Sequence, residues 1–101
     1  MTVDPSHVLF SLGRVLATRG VVETLAGLGL GVDGSLDPYL ARHAAGDWGE
    51  LDHEDQAAND WAVILGDERL LSAYRLVDRT RIWVITEADR SATTVLLPDE
   101  Y

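Results

Sequence analysis

The chain has 101 residues, of which 17 are acidic and eight are basic, and its formal net charge is −9. Every basic residue is an arginine, and cysteine is absent, which excludes disulfide bonds and thiolate metal sites. The length predicts a single domain over residues 1–101, with a loose N-terminal arm at residues 1–6. The acidic balance argues against direct nucleic-acid binding, because phosphate groups need a basic surface.

No stretch of the sequence has the length and apolar character of a membrane span, and none has the form of a signal peptide. We therefore expect a cytoplasmic protein without a membrane partner. The negative charge favours solubility and basic partners.

The first two thirds of the chain predict up to three helices. Residues 7–17 are apolar and fit either a strand or an irregular segment, and an internal glycine leaves this choice open. Thr18 is a good N-cap for a helix that ends near residue 28. Asp37 is expected to cap a second helix, and Asp52 a third that ends at Gly66. Helical spacing in the third helix predicts a buried stripe, formed by Ala58, Trp61, Ala62 and Leu65.

The last third of the chain predicts β-structure. Residues 69–77, 81–87 and 92–97 alternate in polarity or are rich in β-branched and aromatic side chains, and tight turns connect them. We expect an α+β domain, in which two or three N-terminal helices pack on a C-terminal three-stranded antiparallel meander. An additional N-terminal strand stays open. The residues expected to be mainly core are Trp61, Leu65, Leu70, Tyr74 and Ile85.

An acidic stretch without any arginine lies between His43 and Arg69. Six of its acids are candidates for a shared role: Asp47, Glu50, Asp52, Glu54, Asp55 and Asp60. They fit a solvated helix start, or a patch that imitates nucleic-acid phosphates and docks on a basic groove. A divalent metal site fits less well, because the spacing lacks the calcium-loop pattern. We expect no metal and no cofactor.

Two other polar groups have alternative interpretations. Arg42 and His43 either cap the second helix or form a polar site, in which His43 is a proton carrier or hydrogen-bond donor and Arg42 binds an anion or a carboxylate. Asp47 and Trp48 form either a stapled loop with a buried indole or an exposed contact anchor.

The turn between the last two predicted strands carries three charged residues, Glu87, Asp89 and Arg90. It fits a structural turn in which Asp89 or Ser91 bonds its own backbone and Arg90 pairs with Glu87. It also fits a recognition tip, because turns on rigid strands commonly carry function.

Three sequence patterns resemble a known family: RHxxGDWG from Arg42, SxY from Ser72, and IWxITExDRSxTTVLLPxEY from Ile82. The chain is similar, from Leu12 onward, to short, mostly uncharacterised proteins of plasmids and prophages, some labelled plasmid-related or restriction-system proteins. The resemblance implies a mobile genetic element as the source and implies no particular reaction. The chain departs from the family pattern at Arg19, where proline is usual, and at Arg79, where glycine is usual.

These observations favour a small acidic, non-catalytic interaction protein of mobile elements. Its partner would be a basic protein, and inhibition of a host defence or nucleic-acid-handling protein is one concrete form. The residues expected to carry the interaction are Asp47, Trp48, Glu50, Asp52, Glu54, Asp55, Asp60, Glu87, Asp89 and Arg90.

The alternative is a small nuclease similar to the RelE and barnase-like toxins, which also combine helices with an antiparallel sheet. RNA cleavage by general acid–base chemistry needs a proton carrier and positive charge at the phosphate. The candidate residues are Arg42, His43, Arg69, Ser72, Tyr74 and Thr94. A homodimer formed through sheet edges or an apolar face is a third hypothesis.

Overall fold

A computed structural model describes residues 8–101, and the predicted N-terminal arm lies outside these residues. The fold is α+β, as expected, and combines three helices with one four-stranded sheet. The elements in chain order are β1 (Arg14–Ala17), α1 (Arg19–Gly27), α2 (Asp37–Ala44), α3 (His53–Leu65), β2 (Leu70–Arg75), β3 (Arg81–Thr86), β4 (Ala92–Leu96) and a short 3₁₀ turn (Pro98–Glu100).

The sheet is mixed, and the predicted three-stranded meander is therefore only part of it. Its strand order is β1-β4-β3-β2, with β2, β3 and β4 antiparallel and β1 parallel to β4. The helices-first order is also only partly right, because β1 precedes α1. The parallel pairing follows from the long crossover through the helices and the other strands, which returns the chain beside its own start.

The sequence left open whether residues 7–17 form a strand or an irregular segment. Among the described residues of this segment, the strand β1 comprises only Arg14–Ala17. Gly13 adopts a φ of 62°, and a Cβ there would lie 2.4 Å from the carbonyl oxygen of Ser91. The Arg14 N–H donates to that same carbonyl at 3.0 Å. The glycine therefore allows the close approach that starts the pairing of β1 with β4.

Local caps set the helix boundaries. Thr18 accepts a hydrogen bond from the Val21 N–H at the start of α1, and Asp52 accepts one from the Asp55 N–H at the start of α3. Both caps were predicted. The prediction for α2 was wrong: Asp37 lies inside the first turn, and the preceding residue gives no side-chain cap. None of the helices within residues 8–101 is long and apolar enough to cross a membrane.

The core lies between the helices and one face of the sheet. Its main cluster consists of Val21, Leu25, Leu36, Leu40, Tyr74, Leu76, Ile82, Val84 and Val95. A second, smaller cluster lies under α3 and consists of Trp48, Ala62 and Leu70, with Phe10, Leu51 and Val63 packed against it.

The prediction for the orientation of α3 was wrong. Leu70 and Tyr74 are buried as expected, but Trp61 is 63% exposed and Leu65 is 65% exposed. Of the predicted stripe only Ala62 is buried, and Ala58 is exposed as well. The helix also turns Asn59 toward the protein, because the Asn59 amide pairs with the free edge of β2. Its Nδ2 donates to the Leu71 carbonyl at 2.7 Å, and its Oδ1 accepts the Leu71 N–H at 3.3 Å. Ile85, also predicted as core, is only half-buried.

The loop before α3 closes the rest of the β2 edge. The Ala73 N–H donates to the Trp48 carbonyl at 3.1 Å, and the Ala73 carbonyl accepts from the Glu50 N–H at 2.8 Å. Gly49 lies between these two bonds with a φ of 73°, and a Cβ there would lie 2.0 Å from the Ala73 oxygen. This edge is thus covered by the protein's own backbone, which removes one site of unwanted strand pairing.

Candidate functional site

His43 lies at the start of a buried chain of hydrogen bonds. Its Nδ1 lies 2.5 Å from the Ser72 hydroxyl, and its Nε2 lies 2.9 Å from the Thr86 hydroxyl. Thr86 in turn lies 2.7 Å from the Thr93 hydroxyl, which donates to the Leu12 carbonyl at 2.7 Å. Among the described residues, no buried side-chain polar atom lacks a partner.

The direction of every bond in this chain follows from its last member. A carbonyl only accepts, so the single hydroxyl proton of Thr93 is used on Leu12. Thr93 must then accept from Thr86, and Thr86 must accept from His43 Nε2. His43 is therefore the Nε2–H tautomer, and its unprotonated Nδ1 accepts the Ser72 proton.

Burial determines the charge state of His43. Its side chain is fully inaccessible to solvent, and burial together with the positive charge of Arg90 lowers its pKa to about 3. The rings of Phe10 and Trp48 lie edge-on to the imidazole at 5.2 and 5.6 Å between centroids. The imidazole is thus a neutral core group with both nitrogens occupied, which suits it to structure and not to proton transfer with a ligand.

Arg42, the neighbour of His43, staples the loop that follows α2. Its Nε donates to Asp47 Oδ2 at 2.7 Å and its Nη2 to Oδ1 at 3.3 Å. This pairing lowers the pKa of Asp47 and raises that of Arg42. The guanidinium also lies 4.5 Å from the ring centroid of Tyr74, whose hydroxyl donates to the Asp47 carbonyl at 2.6 Å.

Trp48 is part of the core, so its interpretation as an exposed contact anchor was wrong. Its side chain is only 3% exposed, and its Nε1–H donates to Asp60 Oδ1 at 2.9 Å. The indole packs with Ala62 and Leu70 and links the loop to α3. The carboxylate of Asp60 therefore has a structural contact on one side and remains on the protein surface.

The structure brings together four of the six candidate nuclease residues, but it buries three of those four. Ser72 is fully buried and Tyr74 nearly so, and burial raises the pKa of the Tyr74 hydroxyl. The two remaining candidates lie elsewhere. Arg69 lies over the ring of Tyr101 at 5.8 Å, and Thr94 alternates with buried Thr93 and so points to the other face of the sheet.

Arginines from outside the acidic stretch compensate two of its carboxylates. Asp47 pairs with Arg42, and Glu50 accepts from Arg75 Nε at 2.9 and 3.1 Å and lies 3.5 Å from Arg81. The Arg75 contact lowers the pKa of Glu50. These two acids are therefore engaged within the fold.

The other acids of this region lie on or beside α3, exposed to solvent. Within residues 8–101, no arginine nitrogen lies within 4.0 Å of their carboxylates. We call them the six uncompensated carboxylates: Asp52, Glu54, Asp55, Asp60, Asp67 and Glu68. In the part of the chain that the structure describes, no three His, Asp or Glu side chains are arranged to hold a metal ion.

The turn between β3 and β4 is tied to the C-terminal end of α3 through Arg90. The guanidinium donates to the carbonyls of Ala62, Glu68, Glu87 and Ala88 at 2.7–3.2 Å. The expected pairing of Arg90 with the Glu87 side chain is therefore wrong, since only the Glu87 backbone is contacted.

Asp89 in the same turn accepts the Ser91 N–H at 2.9 Å, as predicted for a turn that bonds its own backbone. The contact with Ser91 lowers the pKa of Asp89. The sequence gives no signal for the hydrogen bonds of Arg90 to the carbonyls of Ala62 and Glu68, because these bonds depend on the position of the C-terminal end of α3 in the folded protein.

Sequence reasoning also missed a groove on the face of the sheet opposite the helices. It has a volume of about 680 Å³, and half-buried Leu71, Trp83 and Ile85 form its floor. Tyr101 and Arg69 border it. The period-2 alternation of β3 could have indicated it, since Trp83 and Ile85 are apolar at the positions opposite to the core.

No protein-family model matches the chain, and neither curated proteins nor solved structures give a match. The resemblance to plasmid and prophage proteins therefore stays a prediction.

Proposed function

We propose that this protein is a small acidic interaction protein without catalytic activity, and that it binds a basic surface of another protein. The observation that carries this proposal is the group of six uncompensated carboxylates on and beside α3. Surface charges are screened beyond about 8 Å at physiological ionic strength, so each of these acids acts on a basic group that comes close to α3. A local group of negative charge without guanidinium partners steers positively charged surfaces toward α3 and selects among them.

The predicted mobile-element origin narrows the class of partner. A protein that handles nucleic acid has a basic groove, and an acidic domain that occupies this groove competes with the phosphates. Inhibition of a host defence or nucleic-acid-handling protein is the form of the proposal that agrees with this origin. The acidic tip residues Glu87 and Asp89, which are exposed, are a second area of negative charge in the same proposal.

The nuclease alternative has less support. A general acid or base must reach the scissile phosphate, and the His43, Ser72 and Tyr74 side chains are at most 1% exposed. The acidic surface also opposes the approach of RNA. Expression of the wild type and of His43→Ala in cells tests this alternative directly: toxicity with RNA cleavage in the wild type, lost in the variant, would favour the nuclease.

Charge-neutralising variants test the interaction proposal. One variant carries Glu54→Gln, Asp55→Asn and Asp60→Asn, and the asparagine at position 60 keeps an acceptor for the Trp48 indole. The matched control has the same change in net charge at three acids away from α3, namely Asp33→Asn, Asp37→Asn and Asp99→Asn.

Both variants and the wild type serve as bait in the lysate of a host cell, at low and at high salt. We expect a partner that the wild type and the control capture at low salt only, and that the α3 variant loses. The proposal fails if no salt-sensitive partner exists, or if the two variants behave alike.

A further inference from the structure

The third helix is apolar on the side that faces away from the protein. Trp61, Ile64 and Leu65 are 63%, 72% and 65% exposed, although they are among the largest apolar side chains of the helix. Ala57 and Ala58, one turn before Trp61, are exposed as well. Because positions three and four apart share one face of a helix, these side chains form a single stripe. We call this stripe the α3 outer face: Ala57, Ala58, Trp61, Ile64 and Leu65.

The outer face lies opposite to the side that the fold uses. With 100° between successive residues, Trp61 lies about 160° and Ile64 about 140° from Asn59, which contacts β2. The buried Ala62 lies about 100° from Trp61. The helix is thus apolar both toward the core and toward solvent. A helix of this type is normally covered on both sides, and a continuous exposed apolar stripe typically marks a contact surface.

We infer that the α3 outer face is the docking site for the partner, and that the docking segment is an amphipathic helix with an apolar stripe flanked by lysine or arginine. This inference rests on the proposed function and adds the surface and the type of segment. A helix of 13 residues is about 20 Å long, which matches three to four turns of a partner helix with anchors at i, i+3 or i+4, and i+7.

The basic character of the segment follows from the charges around the stripe. Glu54 lies at its N-terminal end, Asp60 at one flank, and Asp67 and Glu68 just beyond its C-terminal end. These four acids belong to the six uncompensated carboxylates. A segment with basic residues beside its apolar stripe would bury the apolar side chains and place its charges next to these acids.

The same charges argue against a second copy of the chain as occupant. Two copies of α3 in parallel would place each acid beside its own counterpart. In antiparallel pairing, Glu54 of one copy would lie near Asp67 and Glu68 of the other. Each chain also carries a net charge of −9. Repulsion between the facing carboxylates and between the two net charges therefore opposes self-association.

Peptides of defined pattern test the inference without the natural partner. The probe is an 18-residue peptide of leucine and lysine in helical amphipathic order, and its control is a scrambled peptide of the same composition. The protein variants are Trp61→Ser with Leu65→Ser on the outer face, and Val77→Ser as matched control. Val77 is 80% exposed and lies in the turn after β2. All three substituted side chains are mostly in solvent, and circular dichroism confirms that both variants fold.

Calorimetric titration measures the affinities. We expect the patterned peptide to bind the wild type at least tenfold more tightly than the scrambled one, and at least tenfold more tightly than it binds the double variant. Val77→Ser should bind like the wild type. The inference is overturned if the patterned and the scrambled peptide bind the wild type with equal affinity. It is also overturned if the double variant binds the patterned peptide as tightly as the wild type does. A wild-type dimer in light scattering that the double variant abolishes would overturn the choice of occupant.

The two proposals can fail separately. If the double variant still captures the salt-sensitive partner that the α3 charge variant loses, the docking face is wrong and the acidic interaction protein stands. If no salt-sensitive partner exists for the wild type, the proposed function itself fails.

Discussion

Neutral burial of His43 makes the stability of this protein depend on pH in a defined window. In the unfolded chain the imidazole titrates near 6.5, whereas in the folded protein its pKa is about 3. Between pH 6.5 and about pH 3, therefore, the imidazole binds a proton in the unfolded state but stays neutral in the folded state. The contribution of neutral His43 to the free energy of unfolding is fully present above pH 6.5. It falls as the pH decreases, and it is lost when the pH reaches about 3.

The magnitude follows from the two pKa values. Between pH 7 and pH 5 the unfolded imidazole becomes almost fully protonated while His43 in the fold stays neutral. This difference lowers the free energy of unfolding by about 2 kcal/mol, because each pH unit over which only the unfolded state binds the proton lowers it by about 1.4 kcal/mol. For a domain of this size we expect the melting temperature to fall by roughly 10 °C over the same interval.

Urea unfolding at pH 7, 6 and 5 checks the prediction, with His43→Gln as the variant that cannot titrate. The variant is expected to be less stable at pH 7, but its stability should change by less than about 0.5 kcal/mol down to pH 5. Val77→Ser, at an exposed position in the turn after β2, is the control and should keep the wild-type slope. Acids with lowered pKa values, such as Asp47 and Glu50, lose their contributions only below about pH 4.5, outside this window.

Two results would refute the reasoning. One is an unchanged pH slope in His43→Gln. The other is an NMR titration of the His43 ring with a midpoint above pH 5. The same spectra report the tautomer, which should be Nε2–H at neutral pH.

Two turn arginines with the same backbone conformation should respond oppositely to glycine. Arg79 and Arg90 both have positive φ, of 72° and 61°. Arg79→Gly relieves the strain and should stabilise the protein by about 0.5 kcal/mol, whereas Arg90→Gly also removes four bonds to carbonyls and should destabilise it by about 2 kcal/mol. Equal signs in urea unfolding would contradict this account. Gly49→Ala should cost at least about 2 kcal/mol, because its Cβ would collide with the Ala73 carbonyl; a wild-type melting temperature would show that the loop does not close the β2 edge.

Local signals in the sequence were sufficient for several elements. The Thr18 and Asp52 caps act within a few residues of their own position, so the sequence predicts α1 and α3 without knowledge of the rest of the fold. The same holds for β2, β3 and β4, whose turns bring neighbouring segments together. β1 was harder, because its partner β4 lies almost 80 residues away in the chain.

The orientation of α3 could not be predicted from its own pattern. Trp61 and Leu65 have the spacing of a core stripe, and Asn59 has the polarity of a surface residue. The Leu71 backbone at the edge of β2 decides which side of α3 faces the protein, because its N–H and C=O groups need hydrogen-bond partners. The Asn59 amide is the partner of both groups, so Asn59 faces the protein and Trp61 faces solvent. The surface that carries our further inference is therefore the one that the pattern predicted to be core.

The sequence by itself determined the α+β class, the starts of α1 and α3, the antiparallel C-terminal strands and the strongly negative charge. Only the tertiary structure decided that His43 is a neutral core residue, that Trp48 is buried, and which carboxylates lack an arginine. The physical reason is range: caps, turns and side-chain alternation act over a few residues. Burial, pKa and charge compensation depend on neighbours such as Ser72, Thr86 and Arg90, which lie 29 to 47 positions from His43 and meet it only in the folded protein.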